Sequence, residues 1–153
     1  MFAGLLAGST AADPDERPTG MVEQADPRML RVKQFFLDRD CPAQVYADDF
    51  IQAADQNDLD WRLLPSLSFI ESTGGKEAYN NNMFGWDNCR RKFRSTRESI
   101  YTVAALLGTS QLYRAKNIDQ VLRLYNPRPE YTIAVKDVMK QMGPATLAWQ
   151  AAF

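Results

Sequence analysis

The stretch DLDWRLLPSLSFIESTGGKEAYNNNMFGW, residues 58–86, decides how the chain is read. Leu64, Leu67, Ser68 and Glu71 fall at i, i+3, i+4 and i+7, the spacing of one face of a helix. Asp58 or Asp60 is placed to cap that helix. Pro65 removes one backbone donor within the run, so regular helix is expected only from about Leu64. A single carboxylate, Glu71, therefore shares an apolar face near a helix C-terminus. Apolar neighbours and the negative end of the helix dipole both disfavour its ionised form, so its pKa is expected to be raised. A carboxyl group that stays protonated towards neutral pH is what a general acid in glycoside cleavage requires; lysozyme is the established example of this environment.

The residues after Glu71 admit two readings. Gly74 and Gly75 let backbone pass close to a ligand, Asn80, Asn81 and Asn82 offer amides to sugar hydroxyl and acetamido groups, and Phe84 and Trp86 can stack on sugar faces. The same composition also describes a loop of turn formers with two aromatics plugged into the core.

Outward from this segment the spacing is helical throughout and no strand alternation competes with it, which predicts an all-α fold. Met29, Val32 and Phe36 mark a first helix. Ala43, Tyr46, Ala47, Phe50 and Ala54 mark a second, with Pro42 in its first turn. Ser95 with Glu98 three residues on forms a capping-box pattern before Ile100, Val103, Ala104 and Leu107. The last helix runs from Pro129 through Tyr131, Ala134, Val135, Val138 and Met142 to a stop at Gly143 and Pro144, joined to its predecessor by a short helical turn, Ile118 to Tyr125. With 153 residues the chain suits one domain. Residues 1–25 read as a signal remnant or flexible segment without a basic leader, leaving 26–153 as the folded unit.

The chain contains no histidine, which removes imidazole bases, histidine-dependent nucleophiles and imidazole metal sites. The two cysteines, Cys41 and Cys89, are too few for a thiolate zinc site and too far apart for a redox pair. They are a single disulfide or two unpaired thiols. No apolar run approaches the roughly 20 residues of a membrane-spanning helix. Residues 1–60 hold 5 basic and 12 acidic groups, and residues 61–153 hold 13 and 7. The basic run from Arg90 to Arg97 is a solvated loop or a polyanion contact, and a nucleic-acid role would show a steep salt dependence.

The segments FIQAADQNDLDWRLLPSLSFIESTGGK, NNMFGW, STRESIYTVAALL and LYNPRPEYTIAVKDVMKQM together resemble the lysozyme-like peptidoglycan hydrolases, in particular the bacterial glucosaminidase and lytic transglycosylase groups. The resemblance spans about residues 28–142. It implies a lysozyme-like domain with a glycan groove and at most a very short β-hairpin. It implies Glu71 as the catalytic acid, Tyr125 as its partner, and Ser72, Gly75, Lys76, Asn81, Phe84, Gly85 and Trp86 as substrate-binding positions. Where this family often carries E-S-G-W-G-K, Thr73 and Gly74 stand here. The reaction implied is cleavage of a β-1,4 bond between N-acetylglucosamine and N-acetylmuramic acid, without cofactor or metal, by an extracytoplasmic monomer. In an exported chain a Cys41–Cys89 bond would close a loop of about 48 residues and stabilise by roughly 3–4 kcal/mol. No second catalytic carboxylate is evident: Glu98 is spoken for by a helix cap and Glu130 by a helix start, which leaves Asp87.

Overall fold

The computed structural model describes residues 25–147 and is all-α; residues 1–24 of the expected leader segment lie outside the described residues. We number the helices α1 (Pro27–Leu37), α2 (Ala47–Gln56), α3 (Leu63–Ser72), α4 (Thr96–Thr109), α5 (Ile118–Tyr125) and α6 (Pro129–Met142). A 3-10 turn, Pro42–Tyr46, precedes α2, so the segment read as one helix from Ala43 is divided at Tyr46. The nearest approach to a hairpin among the described residues is a single antiparallel bridge between Tyr79 and Asn82. None of the described helices is long and apolar enough to cross a membrane.

Helix α3 is the axis of the molecule. Leu63, Leu64, Pro65, Ser66, Leu67, Ser68 and Ser72 are all buried, so it is enclosed on nearly every side rather than amphipathic. Its serines remain compatible with this because Ser68 Oγ donates to the Pro65 carbonyl at 2.8 Å and Ser72 Oγ to the Ser68 carbonyl at 3.1 Å. Pro65 occupies the first turn, where backbone N–H groups have no helical partner to lose, and the helix begins at Leu63. The expected caps are not used as such. Arg62 is the N-cap residue and Asp60 accepts its N–H at 3.0 Å, while Asp58 sits in a left-handed turn.

Around this axis α1 packs on α2 and the 3-10 turn, α2 on α4, and α6 on α3. Phe36, Phe50, Leu64, Leu67, Phe84, Ile100, Leu107 and Leu122 fill the space between them. The C-terminal end of α6 is tied to the start of α3: Arg62 donates to the Gly143 carbonyl at 2.8 Å, and the Trp61 indole to the Ala145 carbonyl at 2.9 Å. These bonds fix α6 along α3 and so set what its first turn can reach.

Close approach also joins α2 and α4. A Cβ on Gly108 would stand 2.5 Å from the Asn57 carbonyl oxygen, which is backbone and has little room to yield. Gly108→Ala is therefore expected to destabilise by about 1–3 kcal/mol through overpacking, although alanine is the better helix former by about 1 kcal/mol. Denaturant unfolding of the two proteins checks the sign; a stabilised variant would mean that the α2–α4 contact gives way easily.

The turn after α3 corrects one expectation. Thr73, Gly74 and Gly75 all have positive φ. Gly74 is needed because a Cβ there would meet Cys41 Cβ at 2.8 Å and the Phe36 ring at 2.9 Å, so the close approach is to the core and not to a ligand. Cys41 is buried in that contact, with its thiol directed to the Arg39 carbonyl at 3.5 Å, whereas Cys89 is exposed. Both are free thiols, so the conditional disulfide is not formed.

Candidate active site

Glu71 is the penultimate residue of α3 and is half-buried. Its Oε1 accepts a hydrogen bond from the Tyr131 phenol at 2.6 Å, and its Oε2 lies over Gly85, 2.6 Å from where a Cβ on that residue would stand. Burial pushes the Glu71 carboxyl up from its ordinary range, and the Tyr131 O–H, which favours the ionised form, opposes that shift without cancelling it. Because Oε1 is committed as an acceptor, Oε2 is the oxygen left to carry a proton.

Tyr131 reaches Glu71 from the first turn of α6. Its own ionisation is driven far upward, first by burial and then by the bond to Glu71, so it remains a neutral donor. Tyr125, the expected partner, is one ring further away. It stacks on Tyr131 with centroids 6.0 Å apart and planes 11° from parallel, and its hydroxyl donates to the Phe84 carbonyl. The phenol that meets Glu71 is thus that of Tyr131. Tyr125 pins the backbone that brings Gly85 against Glu71, and burial keeps its phenol protonated as well.

The aromatic series continues outward. Trp86 meets Tyr125 edge-on at 5.7 Å and Tyr113 at 6.1 Å, forming one wall of an open cleft of about 420 Å³ lined by Gly85, Trp86, Asp87, Asn88, Arg91, Tyr113 and Tyr125. Asp87, Asn88 and Cys89 form a run of left-handed residues, φ 55°, 51° and 62°, closed by bonds from Cys89 N–H to the Gly85 carbonyl and from Arg90 N–H to the Asp87 carbonyl. Such backbone costs about 1–2 kcal/mol per residue outside glycine. It is held in place by Asn82, which is buried and bonds the N–H and carbonyl of Trp86 and the carbonyl of Arg91.

The remaining expected binding positions are distributed differently. Gly85 and Trp86 are at the cleft. Phe84 is fully buried and contributes its carbonyl. Ser72 is buried as well, its hydroxyl bridging the Met83 and Ser68 carbonyls and accepting the Gly75 N–H, so it binds the loop to α3 rather than facing a ligand. Asn81 is exposed but its amide is engaged by the Phe93 carbonyl at 2.9 Å, and Lys76 reaches back to the Arg39 carbonyl at 2.8 Å. Gly75 packs near Met83 and Pro42.

Of the other carboxylates, Glu98 accepts the backbone N–H of Arg94 at 2.6 Å while Ser95 Oγ accepts the Glu98 N–H, a capping arrangement displaced by one residue from the expected box. Glu130 is exposed at the start of α6, and Asp87, on the cleft wall, is ion-paired with Arg90 at 2.8 Å. Among the described residues no three metal-ligating side chains converge. Comparison with protein-family models, with curated proteins and with solved structures finds no match to this chain.

The geometry separates the two tyrosines by experiment. Tyr131→Phe removes the donor that favours the ionised carboxylate, so Glu71 should hold its proton to still higher pH. Any Glu71-dependent activity should then lose its alkaline limb at a higher pH and fall by about an order of magnitude, the scale of a hydrogen bond to a charged group. Tyr125→Phe should lower the rate without moving that limb. Rate against pH for the two variants reads the distinction.

Proposed function

We propose that this chain cleaves β-1,4 glycosidic bonds of peptidoglycan, with Glu71 as the general acid. The observation that carries the reading is the environment of Glu71: a half-buried carboxyl, raised by burial, with one oxygen held by Tyr131 and the other at Gly85 on the edge of an aromatic-walled cleft. The motif resemblance to lysozyme-like hydrolases supports the same substrate class.

In this reading Oε2 donates its proton to the leaving glycosidic oxygen as positive charge develops at the anomeric carbon. Tyr131 keeps the carboxyl oriented and stabilises the carboxylate that proton transfer leaves behind. Trp86 and Tyr113 offer apolar faces to sugar rings. With Asp87 paired to Arg90, Glu98 bonded to Arg94 and Glu130 exposed in the first turn of α6, the cation is captured in one of two ways. The substrate's own acetamido group can stabilise it before water attacks, with the Glu71 carboxylate accepting the water proton. Alternatively an internal sugar hydroxyl attacks the anomeric carbon, giving its proton to the Glu71 carboxylate, and leaves an anhydro end. A chain acting on this polymer works outside the cytoplasm.

Digestion of purified peptidoglycan, followed by borohydride reduction and mass spectrometry, tests the reading. Reducible ends mean hydrolysis, and the reduced sugar names the bond; anhydro ends mean transglycosylation. A folded protein that releases no fragment would overturn catalysis and leave a glycan-binding module.

A further inference from the structure

The cleft beside Glu71 is lined mostly by neutral groups and carries one acidic and one basic residue, Asp87 and Arg91. Their situations differ. Asp87 is ion-paired with Arg90 at 2.8 Å, whereas Arg91 has no ion-pair partner among the described residues. The carboxylate that feels its charge, Glu98, is bonded to the side chain and N–H of Arg94 instead. The Arg91 guanidinium rests 5.5 Å from the centroid of the Phe93 ring, and its backbone is fixed by the buried Asn82 amide, which donates to the Arg91 carbonyl at 3.1 Å. A cation on a pinned backbone, at the wall of a cleft whose other surfaces suit sugar rings, matches a saccharide that bears a carboxylate.

We infer that Arg91 is a specificity-determining residue that selects glycans carrying a carboxylate over neutral ones, by pairing with that carboxylate in the cleft. The inference rests on the reading of the cleft as a glycan site and deepens it: a polymer of N-acetylglucosamine alone offers Arg91 no partner. In peptidoglycan the carboxylate has two sources, the lactyl ether of muramic acid or the stem peptide attached to it. Each is acceptor-only when ionised and suits the two-pronged guanidinium.

The test uses the full chain carrying Glu71→Gln, so that ligands are bound without being cut. Calorimetric titration compares four tetrasaccharides: all N-acetylglucosamine; alternating with N-acetylmuramic acid bearing free lactyl carboxylates; the same with those carboxylates converted to methylamides; and the same with a dipeptide stem. The expected result is a preference of about tenfold for a carboxylated over a neutral tetrasaccharide, weakening with salt. Adding Arg91→Gln should collapse the ratio towards one, and Arg91→Lys should restore part of it. Preference for the free lactyl form names that group, and preference for the dipeptide form alone names the stem. A preference that survives Arg91→Gln overturns the assignment while leaving the glycan reading intact. Binding of none of the four overturns both. The side chain is exposed and Asn82 uses only the Arg91 carbonyl, so the variants keep the loop.

Discussion

Glu71→Gln is expected to lower peptidoglycan cleavage by roughly 10²–10⁴-fold, the usual contribution of a positioned general acid. The substitution keeps the shape and an acceptor oxygen for Tyr131, so the loss reports the missing proton rather than a collapsed site. Fragment release measured over time, at equal protein concentration and with matched circular dichroism, gives the number; a variant within a few-fold of the native rate would exclude Glu71 as the acid. The same variant carries a stability signature. Burial raises the Glu71 pKa in the folded state above its unfolded value, so folding favours the protonated form. In acid, below the ordinary carboxylate range, the native group is neutral in both states and the penalty is absent. It develops as pH rises from that range through the raised folded value. Glutamine has no such titration, so the melting temperature of Glu71→Gln should gain on that of the native protein as pH rises through this window. Thermal melts between pH 4 and pH 8 track it, and a gap that narrows with rising pH would contradict the burial argument.

Gly85→Ala is expected to reduce activity by about a hundredfold, the scale of a 1 Å misplacement at a reacting group, at a stability cost of about 1–2 kcal/mol for the left-handed backbone. Gly85 has φ 61°, and an added Cβ would stand 2.6 Å from Glu71 Oε2 and 3.4 Å from its Cδ. The flexible end of Glu71 is what gives way, and swinging aside takes Oε1 from Tyr131. The informative control is Gly143→Ala at the far end of α6, where φ is 120° and the nearest atom is the end of the Arg31 side chain. That variant should lose stability of similar size and keep its rate. Steady-state kinetics and melts of both variants decide the matter; full activity in Gly85→Ala would mean that Glu71 tolerates displacement, and would remove Gly85 from the site.

The helices were legible because their causes are local. Asn117 and Gln120 form a complete capping box that makes α5 an eight-residue helix rather than a mere turn. Pro129 begins α6 and Gly143 ends it. Glu71 was legible for a related reason: a carboxylate at i+7 of an apolar face near a helix end identifies itself without knowledge of its neighbours. The loop was less legible. Asn80, Asn81 and Asn82 look alike in sequence, yet only Asn82 is buried, bonding Trp86 and Arg91 and making the cleft wall rigid. Ser72 and Phe84 belong to the site motif in sequence but are turned inward.

By itself the sequence determined the all-α class, the two ends of α6 and the carboxyl group whose environment is chemically unusual, because periodicity, capping and proline geometry act over a few residues. Only the tertiary structure decided which tyrosine meets that carboxyl. Tyr131 lies on the core stripe of its helix by spacing, and Tyr125 stands beside the more suggestive motif. What brings Tyr131 to Oε1 is the docking of α6 along α3, anchored by Trp61 and Arg62 at its other end. Contacts between residues 60 positions apart depend on packing across the whole core, and no local pattern encodes them.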